Sequence, residues 1–383
     1  MSVGGGSRVG IQQVAERAGV APSSVSRVLS GHPNVSAVMR NRVVDAVAAL
    51  GYEPDLLAQS LRRGATMTVG FVVGNIANPL LAEVALGAET GLRAAGYSML
   101  LANSMDDPEL DCAHVRLFAR RRVDGLLLSV SDESSIATAE ALDKASFPLV
   151  HVDRELRLAG AVSAVLADHS AGIADAARHL AALGHRGIAL VNGPPTVRPA
   201  RERAATLRRV CRQLGLGCTV RSGPFTTGHG ERATAALLAG PGAPTAIIAG
   251  GNQILVGVLR ALRSARCQVP RDVSLITCDE VPLSEFLVPP LATIERNPYD
   301  MGAVAAKLML ELLGGDAPRT ETVATSFRPT SSCGPPSRSA PVNGAPVGGV
   351  PVNGAPVGGV PANGAPVRSG GDLASAGSPA RDS

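Results

Sequence analysis

The sequence predicts three parts: an all-α head, a body of two α/β lobes with doubly wound parallel sheets, and a disordered tail. Residues 8–63 read as short helices separated by polar caps and glycines. From residue 68 to about residue 329, apolar runs alternate with Ala-rich helical patterns. Such alternation is typical of parallel strands covered by helices on both faces. Since this stretch is too long for one small sheet, we expect two lobes with a ligand cleft at the carboxyl ends of their strands.

These composition changes define the predicted boundaries. The segments are a helical head at 8–53, a hinge or linker at 54–64, the two-lobe body at 65–329 and the tail at 330–383.

The head is predicted to contain three helices and a fourth short helical pattern. These are Ile11–Ala18, Pro22–Ser30, Ser36–Leu50 and Asp55–Arg62. Ser36 is a suitable N-cap, and Gly51 stands where a left-handed residue ends the third helix.

The first two helices form a predicted helix-turn-helix. The connection "AGVAP" contains Gly19, and Val14 can pack against Val25 and Val28. This packing turns Ser23 and Arg27 outward. In such a pair the second helix enters the DNA major groove and reads base edges.

The body is predicted from eight apolar runs and the helical patterns between them. The strands include "TVGFVV", "YSMLLAN", "VDGLLLSV", "FPLVHVD", "GIALVNG", "PTAIIAGG", "VSLITCD" and "LATIE". The helices include Pro79–Ala95, Ser170–Leu183, Pro199–Leu214 and Ile254–Arg266.

The tail carries a ten-residue repeat. "PVNGAPVGGV" occurs at 341–350 and again at 351–360, and then changes to "PANGAPVRSG". A Pro/Gly period without aromatic or charged residues cannot bury a core, so the tail is expected to be disordered. A solenoid is the alternative, but it needs a hydrophobic stripe for stacking, which the repeat lacks.

Composition narrows the class of protein. Residues 1–63 hold seven arginines against four acidic residues, which accounts for +3 of the net charge of +4. A basic head on a nearly neutral body favours a polyanion partner. The six cysteines are scattered, which indicates reduced thiols. With neither a signal-peptide pattern nor an apolar run of membrane-spanning length, we expect a cytoplasmic protein without a membrane partner.

Enzyme chemistry is not indicated. The sequence contains no phosphate-binding loop with Gly-Lys-Ser/Thr, no His-Glu-x-x-His and no Gly-x-Ser-x-Gly. The seven histidines lack the spacing of metal ligands or of a nucleophile's base. We therefore expect no catalytic residue, no metal and no cofactor.

The segment from Ile11 to Gly64, "IQQVAERAGVAPSSVSRVLSGHPNVSAVMRNRVVDAVAALGYEPDLLAQSLRRG", resembles the head of the LacI/GalR family of transcription regulators throughout its length. The resemblance implies that Pro22, Ser23 and Arg27 read bases, since Arg pairs bidentately with guanine and Ser donates to base edges or phosphates. The DNA-binding positions that it implies are Pro22, Ser23, Ser24, Ser26, Arg27, Ser30, Tyr52, Asp55 and Leu61. Among them, Ser24, Ser26 and Ser30 are expected near phosphates.

The segment "DLLAQSLRRG" resembles the family's hinge helix. So short a helix is marginal in water, so we expect it to fold on DNA beside its copy from a second subunit. Leu61 matches the leucine that wedges into a minor-groove base step.

Ala21 replaces a usual capping Ser, which costs the second helix about 1 kcal/mol and is partly offset by Pro22 at its first position. Gln13 replaces a usual Asp and Met39 a usual Thr, which affects backbone contacts but not the fold. Asp55 replaces a usual Asn, and its carboxylate close to phosphates should weaken DNA affinity modestly.

Residues 68–329 resemble the family's sensor, which has the two-lobe fold of periplasmic binding proteins. The matching pieces include "NPLLAEVALGAETGLRAAGY", "RRVDGLLLS", "LGHRGIALVNGP", "VPRDVSLITCDE" and "PPLATI". The resemblance implies an effector pocket of Asn78, Leu80, Leu81, Asp153, Arg203, Phe225, Gly251, Asn252 and Asp279. Carboxylates, an Arg donor and an aromatic face suit a sugar-like polar ligand. For Asp153, capping of a turn at the strand end is an equal alternative.

The pocket departs from the family at several positions. Gly251 stands at a common hydroxyl-binding Asn, and Leu80 and Leu81 replace aromatic residues. Stacking on a sugar ring would depend on Phe225 or Phe286. These changes predict a ligand other than a standard hexose, or a pocket that has drifted.

Together, these features predict a sequence-specific transcription regulator, most simply a repressor, that binds near-palindromic operator DNA as a homodimer. A cleft effector would shift the lobe arrangement and so the hinge pairing. A dimer is favoured over a tetramer because the tail has no leucine heptads. The alternative is a solute-binding transport protein with the same body, which would have an export signal and no DNA-reading head.

Overall fold

The structure is a computed structural model that describes residues 9–29, 32–52, 64–279 and 286–337. The predicted helical pattern Asp55–Arg62, nearly all of the predicted hinge and the repeat at 341–370 lie outside these residues. The structural statements below concern the described parts of the chain.

The head contains three helices that share one small core. They are α1 (Ile11–Ala18), α2 (Pro22–Leu29) and α3 (Ala37–Leu50). The core residues are Val14, Ala15, Ala18, Val25, Val28, Val43 and Ala46. Gly19 ends α1 with φ +61°, and its carbonyl oxygen accepts a hydrogen bond of 3.2 Å from Arg42 Nη2 of α3. The turn between α1 and α2 is thereby tied to the third helix.

The predicted caps of the third head helix are confirmed. The Ser36 side chain accepts a 3.3 Å hydrogen bond from the backbone N–H of Met39, and Gly51 takes φ +58° after Leu50. Gln13 replaces an acidic residue and acts as a local cap, because its Oε1 accepts a 2.7 Å bond from the N–H of Gly10. Gln13 and Ser36 therefore each satisfy one backbone N–H at a helix start.

The first half of the body alternates strands and helices. Its elements are β1 (Thr68–Val73), α4 (Pro79–Ala94), β2 (Ser98–Asn103), α5 (Pro108–Arg121), β3 (Gly125–Leu128), α6 (Ile136–Asp143), β4 (Leu149–Val152) and β5 (Ser163–Ala167). The strands pair in parallel.

The second half repeats this arrangement. Its elements are α7 (His169–Ala182), β6 (Gly187–Asn192), α8 (Arg198–Leu214), β7 (Gly217–Ser222), α9 (Thr227–Ala239), β8 (Ala246–Ala249), α10 (Asn252–Ser264), β9 (Ser274–Cys278) and β10 (Ala292–Glu295). The chain then adds α11 (Pro298–Leu313), β11 (Thr320–Val323) and β12 (Ser326–Arg328).

Two six-stranded sheets result, each the centre of one lobe. The N-lobe sheet has the order β11-β5-β4-β3-β1-β2, and the C-lobe sheet has the order β12-β10-β9-β8-β6-β7. All pairs are parallel except β10 with β12. Each sheet has an apolar cluster on both faces, which explains the uninterrupted apolar strands. The predicted two-lobe, doubly wound α/β body is confirmed.

The chain crosses between the lobes three times. The crossovers are residue 168, residues 296–297 and residues 324–325. The first and third are joined to each other, because Thr325 Oγ1 donates to the carbonyl oxygen of Asp168 at 2.5 Å. The strand ends that face the cleft therefore lie beside a connected hinge.

The segment at 330–337 differs from the prediction that the disordered tail begins at residue 330. Ser332 is fully buried, its Oγ donates to the Leu275 carbonyl at 2.6 Å, and Leu275 N–H donates to the Ser332 carbonyl at 3.0 Å. His185 Nε2 lies 3.0 Å from the Gly334 carbonyl oxygen. Polar groups at 330–334 thus complete hydrogen bonds of the C-lobe sheet before the repeat begins, and the predicted boundary was too early.

None of the helices in the described ranges combines the length and apolarity that crossing a membrane requires.

Candidate functional site: an exposed helix face and a cleft between two lobes

The α2 helix divides its residues between the head core and solvent. Val25 and Val28 are buried, whereas Pro22, Ser23 and Arg27 are exposed. Pro22 begins the helix, where its missing N–H costs nothing. The three positions predicted to read bases therefore share one outward face of a helix whose opposite face is fixed by packing.

The other predicted DNA-binding positions divide into two groups. Ser24 and Ser26 are half-buried on α2, and the half-buried Tyr52 packs against the head core. Ser30, Asp55 and Leu61 lie outside the described residues.

In the body, one cavity of about 60 Å³ lies between the lobes. All nine residues predicted to form the effector pocket line it: Asn78, Leu80, Leu81, Asp153, Arg203, Phe225, Gly251, Asn252 and Asp279. The sequence prediction did not include further lining residues, among them Asn75, Asp106, Arg154, Pro199 and Arg296.

Two helix starts meet across the cleft. Asn78 caps α4, because its Oδ1 accepts a 3.1 Å bond from the N–H of Leu80. The same oxygen accepts a 3.1 Å bond from Nδ2 of Asn252, the first residue of α10. Since α4 belongs to the N-lobe and α10 to the C-lobe, this amide pair joins the lobes.

Asp153 follows β4 at the N-lobe side of the cleft and has φ +53°. Its Oδ1 accepts 3.1 Å bonds from the N–H of Ala167 and from His169 Nε2. Its Oδ2 accepts a 2.5 Å bond from Arg296 Nη1. The carboxylate thus both fixes the strand end, as the turn-capping alternative proposed, and faces the cavity.

The charge state of Asp153 follows from these partners. Burial alone would raise the pKa of Asp153, but His169 and Arg296 outweigh burial and hold that pKa well below its usual range. Burial lowers the pKa of His169 to about 4, so at neutral pH this ring is an uncharged donor. The positive charges beside Asp153 are therefore those of Arg296 and, more weakly, Arg154, together with Arg198, whose Nη1 lies 3.7 Å from Asp153 Oδ1.

Asp279 is the C-lobe counterpart of Asp153. It follows β9 with φ +70°, a left-handed conformation that Asp tolerates better than most residues. Its Oδ1 accepts a 2.9 Å bond from Arg296 Nε, and its Oδ2 lies 3.6 Å from Arg203 Nη2. Arg203 is itself held by a 2.7 Å bond from Nη1 to the Gly250 carbonyl.

An apolar wall completes the site. Leu80, Leu81 and Phe225 line it, and the Phe225 ring lies directly against the backbone of Gly193 and Gly251. A Cβ at Gly193 would lie 2.0 Å from the ring, so glycine there makes space for the aromatic face. Phe286, the other aromatic residue considered for stacking, is 73% exposed and does not line the cavity.

Arg154 and Asp106 form a second pair of charged groups, at the N-lobe end of the cavity. Arg154 donates from Nε to the Val130 carbonyl at 2.9 Å and from Nη1 to the Asp153 carbonyl at 2.8 Å. Burial raises the pKa of Asp106, while the nearby Arg154 opposes this shift. The cavity therefore offers amide, carboxylate and guanidinium groups beside apolar carbon, which suits a small polar ligand.

Arg296 is one of the lining residues that sequence reasoning missed, and it binds carboxylates of both lobes. It lies in the crossover between β10 and α11, directly after the predicted strand "LATIE". A charged residue at the carboxyl end of a buried strand was an available signal, because such strand ends carry ligand groups. Within the described ranges, no group of three or more His, Cys, Asp or Glu could hold a metal ion.

Comparison with known proteins identifies a family for the head and for the body. Residues 10–55 match the bacterial regulatory proteins of the lacI family, and residues 177–333 match a periplasmic binding protein-like domain. The ribose operon repressor of Escherichia coli K12 is 32% identical over 306 residues, which cover 78% of this chain and 92% of that protein.

Two solved structures extend the similarity to the fold. The lac repressor dimer bound to operator and the anti-inducer ONPF has a TM-score of 0.76 and 26% identity, covering 86% of this chain and 100% of that chain. A lacI family regulator from Enterococcus faecium with bound ribose has a TM-score of 0.62 and 27% identity, covering 70% of this chain and 99% of that chain. By sequence and by structure, this chain belongs to the lacI family of bacterial regulatory proteins.

Proposed function

We propose that this chain is a homodimeric repressor of transcription whose binding to operator DNA is controlled by a small polar effector in the cleft between the lobes. The observation that carries the proposal is the combination, in one chain, of a head with Ser23 and Arg27 exposed on α2 and a body with a polar interlobe cavity. The relatives named above are repressors or regulators, one solved with operator and one with ribose.

The head supports direct reading of DNA. The α2 helix is short, and its buried Val25 and Val28 leave a single exposed face that can enter a major groove. Arg27 is the base-reading candidate, because a guanidinium can donate two hydrogen bonds to guanine O6 and N7. Ser24 and Ser26 are assigned to phosphate contacts, which position the helix without reading sequence.

The lining of the cleft supports a small polar ligand. Amide, carboxylate and guanidinium groups surround the cavity together with a few apolar side chains. Leucines occupy two positions where relatives stack aromatic residues, and only Phe225 contributes an aromatic face. We therefore assign the effector to small polar molecules other than standard hexoses.

A solute-binding transport protein is the competing function, since it would share the two-lobe body. The match of residues 10–55 to a DNA-binding family argues against it, because a transport protein has no use for a groove-reading helix. We likewise assign no catalytic role to the cleft, since relatives with this fold act as regulators.

The test of the DNA-reading role is the Arg27→Ala variant. Binding sites would first be selected from random duplex DNA with the full-length protein, and affinities then measured by fluorescence anisotropy at fixed salt. Loss of a good bidentate base contact should weaken the selected site by about 1–3 kcal/mol and relax its sequence preference at one position in each half-site.

The matched control is Arg17→Ala, which removes an exposed arginine from α1 of the same head. A lost phosphate contact there would weaken all sequences alike and reduce the salt dependence. If Arg27→Ala left both the affinity and the selected sequence unchanged, α2 would not be the reading helix.

The effector class is tested by calorimetry of the intact protein against a panel of pentoses, hexoses and nucleosides. We expect common hexoses to bind weakly or not at all. Tight binding of a common hexose would overturn the assignment to other small polar molecules and leave the DNA-reading role untouched.

A further inference from the structure

The cleft contains a side chain of the protein itself at its centre. Arg296 lies in one of the three crossovers, and its side chain is only 5% exposed. Nη1 donates to Asp153 Oδ2 at 2.5 Å and Nε donates to Asp279 Oδ1 at 2.9 Å. Asp153 ends a strand of the N-lobe and Asp279 ends a strand of the C-lobe, so one guanidinium bridges the two lobes.

The bridge consists of ionised groups. Burial opposes the charge on Arg296, but Asp279 and Asp153 outweigh it and raise the pKa of Arg296. The two charge-assisted hydrogen bonds to the carboxylates offset the desolvation of the buried guanidinium. Moving the lobes apart would separate Arg296 from at least one carboxylate, so the bridge favours the closed arrangement.

Further contacts cross between the lobes beside this bridge, where Nη1 of Arg198 in the C-lobe lies 3.7 Å from Asp153 Oδ1. Glu133 follows β3 of the N-lobe, and its N–H donates to the Thr196 carbonyl of the C-lobe at 3.2 Å. Its Oε1 accepts a 2.8 Å bond from the N–H of Arg198, and its Oε2 accepts a 2.6 Å bond from Arg201 Nη2. The two backbone N–H groups, of Glu133 and Arg198, are bonded across the cleft only while the lobes are together.

The guanidinium also takes the hydrogen-bonding capacity that a ligand would use. Asp153 already accepts from Ala167, His169 and Arg296, and Asp279 Oδ1 accepts from Arg296. With both carboxylates engaged, the cleft that remains measures only about 60 Å³. Arg296 thus stands where the polar groups of a ligand would meet the two lobes.

We propose that Arg296 is an internal clasp, a cation of the chain that occupies the effector cleft and holds the lobes closed when no effector is bound. The proposal rests on the proposed function only in identifying this cleft as the effector site. In the ligand-free protein the two lobes are then closed, so an effector binds to a protein whose lobes are already in contact.

Hydrogen exchange of the full-length, ligand-free protein tests the clasp. In Arg296→Ala, the amides of Glu133 and Arg198 should exchange faster by roughly tenfold or more, because local opening of the lobes exposes them. Amides within β1 and β6 should keep their protection, since each lobe retains its own core. The matched control is Arg319→Ala: Arg319 pairs with Glu311 and Glu321, but all three belong to the N-lobe.

Chemical rescue distinguishes a lost bridge from lost packing. Free guanidinium ion at millimolar concentration, far below denaturing levels, should bind between Asp153 and Asp279 in Arg296→Ala and restore the slow exchange. Urea at the same concentration has a similar shape but no charge, and should not restore it.

Three results would overturn the proposal. One is unchanged exchange at Glu133 and Arg198 in Arg296→Ala. Another is faster exchange throughout both lobes, which would make Arg296 a general packing residue. The third is faster exchange that guanidinium does not reverse. Selection of operator sites by the same protein is a separate measurement. Failure of the DNA-binding proposal would therefore not change the interpretation of the hydrogen exchange, and failure of the clasp proposal would not change the interpretation of operator binding.

Discussion

His151 shows how one buried side chain makes the stability of the body depend on pH. It lies in β4, it is 2% exposed, and its Nε2 has no hydrogen-bond partner among the described residues. Burial lowers the pKa of His151 from its usual 6.5 to about 4. The unfolded chain therefore binds a proton at a higher pH than the folded chain does, and the neutral ring stabilises the fold fully only above about pH 6.5.

The pH dependence gives a prediction for His151→Leu. Between pH 6.5 and pH 4 the wild-type free energy of unfolding should fall with a contribution from His151 of about 1.4 kcal/mol per pH unit, or about 2 kcal/mol at pH 5. A leucine side chain at this position cannot take up the proton and leaves no orphaned nitrogen. Urea unfolding at pH 7 and pH 5 would measure the difference, and an equal loss in both proteins would place the pH sensitivity elsewhere.

At the level of single residues, the cleft was largely accessible from the sequence. The nine residues carried over from the family pattern all line one cavity, because strand ends and helix starts occupy fixed places in this topology. The position of Arg296 at a strand end could have marked it as a lining residue, but its bridging role could not be inferred from the sequence. Its role depends on two carboxylates 143 and 17 positions away in the chain, which no local pattern relates to it.

Helices in both lobes cross at glycines, which allows their backbones to touch. A Cβ at Gly302 of α11 would lie 2.0 Å from the Val84 carbonyl oxygen of α4, and one at Gly87 of α4 would lie 2.1 Å from that of Tyr299. In the C-lobe, a Cβ at Gly257 of α10 would lie 2.1 Å from the Thr227 carbonyl of α9. The contacting atoms are backbone, so they cannot move aside as a flexible side chain would.

The α4–α11 crossing predicts the effect of Gly302→Ala. The added methyl group must push the helices apart and strain the N-lobe core, which costs about 1–3 kcal/mol. Chemical denaturation should show a lower midpoint for this variant. Gly160→Ala is the control, because a Cβ there meets no heavy atom within 4 Å, and it should unfold like the wild type. Equal stability of the two variants would mean that the crossing adjusts without cost.

Some elements were easier to predict than others, for reasons of packing. Strands such as β1 and β6 read directly from the sequence, because both of their faces are buried and their residues are apolar. The prediction did not include β5, β7, β11 or β12. The strands β7, β11 and β12 are short or polar and partly exposed, so their pairing comes from tertiary partners rather than from their own pattern.

For the whole molecule, the proposed mechanism needs two chains, since one head reads one half-site of a near-palindrome. The N-lobe carries exposed apolar side chains in and beside its edge strand β2. Leu100 and Leu101 in β2 are 40% and 43% exposed, Met105 follows the strand at 72%, and Leu86 on the adjoining α4 is 51% exposed. Exposed apolar side chains on an edge strand and on the helix beside it are typical of association surfaces.

This surface predicts that Leu101→Asp weakens the dimer. A carboxylate in a closely packed apolar interface loses its hydration without gaining a partner, so the dimer dissociation constant should rise at least tenfold, or about 1.4 kcal/mol. Sedimentation equilibrium at micromolar concentration would measure it. The control Ile136→Asp also introduces a charge at an exposed apolar residue, 74% exposed on α6, and should leave the dimer intact.

DNA binding gives a second measurement of the same interface. The Leu101→Asp variant should bind an isolated half-site as tightly as the wild type does. It should lose the extra affinity that a second half-site gives the wild type, because its two heads are no longer linked. Leu101→Asp that remained dimeric would place the subunit interface on another face of the body.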